Sequence, residues 1–364
     1  MTIQTSASER TTLALVASEA QVSLSTVSKV LNGRTGVSAP TRARIETLLH
    51  EHGYNRRGST RSSSLVEVVF AELGTSDDVE LNSQWSTEII RGVERVAREA
   101  GLSVVVTESG DRRSPVSGWL DRVLEHDPVG VIFVVRSPSA ELRKRLRIRK
   151  VPFVVIDPAG EPDPEVPSIG AANWAGGVQA ARHLLDLGHR RVGVITGPQD
   201  MIMSRARLSG FRSAIDNSGI GLPPNYIRYG SFDVASGIAQ GLDLLNMPEP
   251  PTAIFAESDL QALGVYEAAR TLGLRIPADL SVVGFDGLPL GRWVAPPLTT
   301  IRQPIVDMAA QAARLVIALR ESPDQDHMRV DLETRLVVRG STMPLHRTDA
   351  APRTDTALPL STSV

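Results

Sequence analysis

The chain has 364 residues, 41% hydrophobic, 22% charged and 4% aromatic, with no cysteine. That length exceeds one ordinary domain, and the lack of cysteine excludes disulfides, Cys-ligated zinc and thiol catalysis and fits a reducing cytoplasm. The net charge of −2 hides an asymmetry, with +4 on residues 1–64 and −6 on the remainder, the balance of a small nucleic-acid module joined to a separate ligand or partner domain.

Residues 1–10 are polar and read as disordered. They have no basic region leading into an apolar one, so they do not form a signal peptide. Apolar runs such as Val129–Val135 are strand-sized and too short to span a bilayer.

Residues 11–55 read as a three-helix, DNA-binding domain. Leu13, Val16, Ala17 and Ala20 fall at helical spacing on one face of a first helix. Gln21-Val22-Ser23 is long enough only for a turn, and Ser23 is a natural N-cap for a second helix. Val27, Val30 and Leu31 face inward there. Leu24, Ser25, Ser28, Lys29 and Asn32 share the opposite face, with Thr26 beside them. That face is small, polar and basic, which suits the major groove. The small Ala17 and Ala20 let the helices cross closely, as a helix-turn-helix requires. The third helix is predicted over 39–51, capped by Ser38, with Pro40 in its first turn, Gly53 beyond its end, and Ile45, Leu48 and Leu49 on its inner face. Residues 56–64 are basic and Gly/Ser-rich with no apolar side chain, and read as a linker or hinge.

From Leu65 the pattern changes. Strand-like runs at 65–73, 102–109, 129–135, 151–157, 191–197, 227–229, 252–258 and 280–286 alternate with helices predicted at 85–100, 115–126, 138–149, 173–187, 203–218, 234–246 and 259–272. Short apolar strands spaced by helices imply parallel, doubly wound α/β sheets, and over 200 residues of alternation are enough for two. A helix at 304–320 and a strand at 331–339 close the core at about 341. The tail 342–364 is rich in Thr, Pro, Asp and Ser and reads as disordered.

Three motifs carry a family resemblance. They are VASEAQVSLSTVSKVLNG with VSAPTRARI and HGY; HLLDLGHRRVGVITGP with SRARLSGF; and AIFAESDLQALGVYEAARTLGLRIPADLSVVGFD with PPLTTIRQP. In this order they resemble the lactose-repressor (LacI-type) family of bacterial transcription regulators over about residues 12–341. The resemblance implies an α-helical helix-turn-helix headpiece, a hinge, and a periplasmic-binding-protein-like ligand-binding and dimerisation core at 65–341. That core would divide into one subdomain at about 66–187 and 302–329 and another at about 188–301 and 330–341. It also implies a homodimer, operator DNA as partner, and a small-molecule effector, usually a sugar, in the cleft between subdomains.

Ser25, Ser28 and Lys29 match the family's groove-facing positions, Asn32 matches its helix-end Asn, and Leu24 and Ser25 occupy the two positions that usually vary with operator sequence. Leu24 is expected to touch a thymine methyl, Ser25 a base edge, and Lys29 guanine or phosphate. Arg34, Thr41, Arg42, Arg56 and Arg57 are candidate phosphate contacts. Two features depart from the family pattern. Gln21 stands where the family turn usually has Gly. The linker is short and has no Leu to wedge into the minor groove, so Arg56, Arg57 and Arg61 are read as holding that groove electrostatically.

In the core, Arg207 and Asp286 match the family's most recurrent ligand contacts, a forked donor and a carboxylate acceptor that suit a hydroxyl array. Asp286 follows a strand, at the carboxyl end where ligands of open α/β sheets sit. Asp259 is read as an effector contact or merely a helix cap. Phe232, Trp85, Trp174, Trp293 and Asp157 match cleft-lining regions, where an aromatic face would pack on a sugar's C–H face or serve simply as core.

No Walker loop, G-x-S-x-G or H-E-x-x-H motif is present. His50 and His52 do not share a helix face for metal, and His183 and His189 flank a helix end, where His usually caps carbonyls. The sequence therefore indicates no enzyme, cofactor or metal. The leading reading is a sequence-specific DNA-binding repressor whose operator affinity is changed by an effector. The alternatives are a corepressor-type regulator whose ligand strengthens DNA binding, and a sugar-binding transport receptor, which would need a secretion signal.

Overall fold

The computed structural model describes residues 13–31, 36–51, 64–70, 84–108, 120, 123, 126–161, 163–322 and 329–345. It forms two units, 1–63 and 64–364. Readings that fall on 1–10, Asn32, Arg34, His52, the linker residues Arg56, Arg57 and Arg61, most of the helix predicted at 115–126, and the tail beyond 345 lie outside the described residues.

In the first unit α1 (Leu13–Glu19), α2 (Leu24–Leu31) and α3 (Ala39–Glu51) enclose a small core. Val16, Ala17, Ala20, Val27, Val30, Ile45 and Leu49 fill it, with Leu13, Val22, Val37 and Leu48 packed around them. Ser23 caps α2 by accepting from Thr26 N at 3.2 Å. The α1–α2 turn is a Schellman motif: Val22 N donates to Ala17 O at 3.0 Å and Gln21 N to Ser18 O at 3.1 Å. This motif needs a left-handed residue after the helix, and Gln21 supplies it at φ +50°. The turn thus keeps its geometry without glycine, at the steric cost a Cβ brings to that region. Arg44 Nη2 donates to Ala20 O at 2.7 Å and satisfies one of the carbonyls left open at the end of α1.

The second unit holds two sheets. The strands of the first are β1 (Leu65–Phe70), β2 (Ser103–Glu108), β3 (Gly130–Val134), β4 (Phe153–Ile156), β5 (Ser168–Ala171) and β11 (Arg329–Leu332). Those of the second are β6 (Val192–Thr196), β7 (Ile227–Tyr229), β8 (Ala253–Ala256), β9 (Ser281–Asp286), β10 (Thr299–Arg302) and β12 (Arg335–Val337). The spatial orders are β11-β5-β4-β3-β1-β2 and β12-β10-β9-β8-β6-β7. Every pairing is parallel except β10 with β12. Central strands such as β3, β6 and β8 are buried along their whole length, which is why they read as unbroken apolar runs rather than alternating ones.

The helices between them are α4 (Gln84–Glu99), α5 (Ala140–Ile148), α6 (Asn173–Asp186), α7 (Ile202–Asn217), α8 (Val234–Leu245), α9 (Asp259–Thr271) and α10 (Ile305–Glu321). α4 and α10 share one apolar cluster with the first sheet. α6 and α7 share another with the second sheet. α8 and α9 cover its other face. A Cβ on Gly177 of α6 would lie 2.1 Å from Arg207 O, and one on Gly210 of α7 would lie 2.0 Å from Trp174 O. These two glycines let α6 and α7 touch backbone to backbone, and so fix where Arg207 stands.

Four sequence expectations need correction. First, α6 packs with the second sheet through Val178, Ala181 and Leu184, so the chain leaves the first sheet at about 172 rather than 187. Second, the strand predicted at 331–339 is two strands, β11 in the first sheet and β12 in the second. Its apolar pattern could not show that the chain changes sheets at Glu333-Thr334. Third, β5 and β10 were not expected, because SIGA and TTIR are only four residues long and weakly apolar. Fourth, ordered structure continues past 341: Leu345 N donates to Leu187 O at 2.8 Å.

That last segment also explains two histidines. His189 is buried and bonds Thr252 Oγ1 at 3.0 Å, Ser281 Oγ at 3.1 Å and Met343 O at 3.2 Å. His183 bonds Thr342 Oγ1 at 2.9 Å. Neither is a helix cap; both tie the C-terminal segment to the second sheet.

Gln21→Gly is expected to stabilise the headpiece by about 1 kcal/mol, read as slower amide exchange of α1 and α2 in the full chain; faster exchange would show that Gln21 bears no strain. Burial holds both histidines below their ordinary value of 6.5. The unfolded chain therefore binds protons that the folded core refuses, so stability is complete above about pH 6.5 and falls as pH drops below it. The melting temperature of the core should decline between about pH 7 and 5.5, and His189→Gln should flatten that decline.

Candidate functional site

In the headpiece, α2 turns its buried valines inward and leaves Leu24 53% exposed beside exposed Ser25, Ser28 and Lys29. Thr26 is half-buried, and its hydroxyl bonds Ser23 Oγ at 2.8 Å, so it works in the cap more than on the exposed face. At the start of α3, Thr41 Oγ1 bonds Ser38 Oγ at 2.7 Å. Arg42 is partly buried in the same turn. The sequence reading missed Arg44, whose role depends on a carbonyl 24 positions away.

In the core, residues at or just past the carboxyl ends of adjacent strands converge on one guanidinium. Arg207, on α7, is 3% exposed. Its Nε donates to Asn173 Oδ1 at 2.8 Å and its Nη1 to the Glu257 carbonyl at 2.5 Å. Nη1 also stands 3.7 Å from Asp286 Oδ1. The guanidinium lies 3.8 Å over the Phe285 ring and 5.6 Å from that of Phe232, both within cation–π range.

Asp286 ends β9 in a left-handed conformation, φ +108°, and accepts from Gln303 Nε2 at 2.6 Å. Burial pushes its carboxyl up to about 6, against the pull of Arg207 and Gln303. Asp157 follows β4 of the opposite sheet, also left-handed at φ +49° and buried. Burial raises its pKa, and Arg207 and Asn173 pull it back. Glu257, which the sequence reading passed over, follows β8 and is fully buried. Its Oε2 accepts from Gly197 N at 3.1 Å, and burial pushes it up to about 8 against the pull of Arg207. One guanidinium thus faces three carboxyl groups. Displaced titrations of this kind cluster at functional sites.

Asp259 is not a helix cap. Ser258 holds that place, accepting from Gln261 N at 3.1 Å. Asp259 instead accepts from Thr300 Oγ1 and Leu288 N, each at 2.6 Å. Burial and the nearby Asp286 raise its pKa well above the ordinary value. It braces the loop after β9 from behind. Phe232 and Trp85 are partly buried and pack against the cluster of the first sheet. Trp174 is 51% and Trp293 86% exposed.

The two sheets are joined around this cluster. Ile202 N donates to Ala159 O at 2.8 Å, and Leu290 N to Gln84 Oε1 at 3.0 Å. Met201, Met203 and Leu288 come from the second half of the chain yet lie in the first sheet's cluster.

Residues 12–57 match the family described as bacterial regulatory proteins, lacI family, and residues 181–342 match the periplasmic binding protein-like domain. Over 337 residues the chain is 31% identical to the HTH-type transcriptional repressor CytR of Escherichia coli strain K12, covering 91% of this chain and 96% of that one. The chain belongs to the lacI family of bacterial regulatory proteins. Two solved structures resemble this lacI-family protein. One is the transcriptional regulator CelR–cellobiose complex, 32% identical with TM-score 0.69, covering 91% of this chain and all of that one. The other is the lac repressor dimer bound to operator and the anti-inducer ONPF, 28% identical with TM-score 0.66, covering 92% and 99%. This lacI-family protein is accordingly a DNA-binding transcriptional regulator with a helix-turn-helix headpiece and two α/β subdomains. Among its described residues no helix is long and apolar enough to cross a membrane.

Removing the central charge should be costly, because its carboxylate partners stay buried. Arg207→Met is expected to destabilise the core by about 3–5 kcal/mol, measured as a lower midpoint in chemical denaturation. An unchanged midpoint would mean that the surrounding carboxyl groups need no counter-charge.

Proposed function

We propose that this lacI-family protein is a cytoplasmic transcriptional repressor that binds operator DNA as a homodimer and loses or gains operator affinity when a sugar occupies the cleft between its subdomains. The observation that carries this reading is the buried Arg207–Asp286 pair at the strand ends of one sheet, with Asp157 opposite it on the other. A forked donor beside carboxylate acceptors suits a ring of hydroxyls, and the carboxyl ends of parallel strands are where such folds bind ligands. The cellobiose complex and the operator-bound dimer among its structural relatives support the same assignment.

On DNA, α2 would enter the major groove with Leu24, Ser25, Ser28 and Lys29, while Thr41 and Arg42 at the start of α3 approach phosphate. So small a face gives little affinity alone, so two headpieces on two half-sites fit better than one. The subdomains proposed from the packing are residues 65–172, 303–321 and 329–332 for one, and 173–302 and 335–345 for the other.

Fluorescence anisotropy with the full chain tests this on DNA fragments selected for binding, with and without sugars. We expect sequence-specific binding that weakens steeply with salt. Lys29→Ala should cost about 1–3 kcal/mol, and Leu24→Ala should relax the preference at one base pair per half-site. Equal affinity for selected and scrambled DNA under every ligand condition would overturn the proposal.

A further inference from the structure

Three buried polar atoms around Arg207 lack a hydrogen-bond partner: Glu257 Oε1, Ser204 Oγ and Gln303 Oε1. Their residues are 0%, 1% and 3% exposed. Each such atom gives up its hydration for nothing in return when nothing answers it, and the three come from separate elements that meet at one place. Glu257 follows β8, Gln303 follows β10, and Ser204 precedes Arg207 by three positions on α7, on the same helix face. They are linked through the site itself. Glu257 Oε2 is held by Gly197 N. A Cβ on Gly197 would lie 2.6 Å from Ser204 Oγ and 2.2 Å from Phe232 Cζ. Gln303 Nε2 is spent on Asp286 Oδ1 at 2.6 Å, which faces Arg207.

We propose that Glu257 is a specificity-determining contact of the cleft, its Oε1 bonding a hydroxyl of the effector, and that with Ser204 and Gln303 it selects an uncharged polyhydroxyl over its phosphorylated counterpart. This rests on the reading of the cleft as the effector site. Chemistry on both sides favours it. Arg207 Nε and Nη1 are committed to Asn173 Oδ1 and the Glu257 carbonyl, with Asp286 alongside. A phosphate that reached the remaining Nη2 donors would lie beside Asp286 and Asp157, so it meets repulsion where it needs a counter-charge. A hydroxyl both donates and accepts. It can give its proton to Gln303 Oε1 and take one from Glu257 or Ser204. Burial pushes Glu257 up to about 8, so at neutral pH Oε1 carries a proton and donates. The charged group acting on Glu257 is Arg207, which acts also on Asp157 and Asp286.

The test is a thermal-shift screen of the full chain against neutral pentoses, hexoses and disaccharides, beside ribose 5-phosphate and glucose 6-phosphate. Calorimetric Kd values for the tightest hit follow, for wild type, Glu257→Gln and Glu257→Leu between pH 7 and 9. We expect neutral sugars to raise the melting temperature and the phosphate esters to leave it unchanged. Wild-type affinity should fall above about pH 8 as the Oε1 proton is lost. Glu257→Leu should weaken binding about tenfold or more. Glu257→Gln keeps a donor at any pH, so it should bind within about threefold of wild type at pH 7 with a flat pH profile. If Glu257→Leu does not fold, the pH profile of Glu257→Gln against wild type decides alone. A neutral sugar that binds wild type and both variants alike, with no pH dependence, would remove Glu257 from the site while leaving the sugar reading intact. Preferential binding of a phosphate ester would overturn the charge argument. A panel in which nothing shifts the melting temperature would overturn the sugar reading itself.

Discussion

A guanidinium taken out of water costs several kcal/mol unless geometry and hydrogen bonds restore what solvent supplied, and the core of this protein is arranged around that requirement. The partners of Arg207 arrive from α6, from the end of β8 and from the end of β9, with an aromatic ring beneath the guanidinium plane. None of these is near Arg207 in sequence. The close α6–α7 crossing at Gly177 and Gly210 brings Asn173 and Arg207 together. The compensation is also lopsided, since burial drives Asp286, Asp157 and Glu257 toward their protonated forms around a single cation. A cluster like this leaves hydrogen-bonding capacity unused, and a ligand that supplies it is bound in proportion.

The same cluster sits where the two sheets meet, which is what connects chemistry to regulation. Ile202 and Leu290 reach across by donating their backbone N–H groups, to Ala159 O and Gln84 Oε1, and Met201, Met203 and Leu288 bury their side chains in the neighbouring sheet's core. The chain changes sheets near 172, near 303 and at 333–334. Gln179 fastens the last of these crossings, donating to Thr334 O at 3.0 Å and accepting from Leu336 N at 2.9 Å. Any change in the angle between the sheets works against these bonds, and a ligand moves that equilibrium only by the difference in its affinity for the two arrangements.

The headpiece depends on different physics. Its apolar core is small, so local signals carry much of its stability. Ser23 caps α2, Arg44 answers a carbonyl at the end of α1, and Gln21 takes a left-handed turn position that glycine would occupy without cost. Such a unit presents a short recognition helix without burying the face it presents.

Local regularities were legible in the sequence. The 3.6-residue period of Leu13, Val16, Ala17 and Ala20, the cap at Ser23, the helix at 39–51 and the apolar runs of the buried parallel strands each depend on near neighbours in the chain, and each was readable. Family motifs also pointed to Arg207 and Asp286 as residues of interest, though not to their pairing. Long-range relations were not legible. SIGA and TTIR became strands because neighbouring strands offered them hydrogen bonds. Residues 331–339 became two strands in two sheets because the chain crosses there. Asp259 became a brace rather than a cap because Thr300 and Leu288 come to it. Glu257 gave no local signal, because a carboxyl group's protonation and its unanswered oxygen are set by what packs around it. Sequence by itself determined the headpiece helices, the buried apolar strands and the family, since periodicity and capping are local. Only the tertiary structure decided which polar groups were buried together, since burial and charge compensation are properties of atoms far apart in the chain.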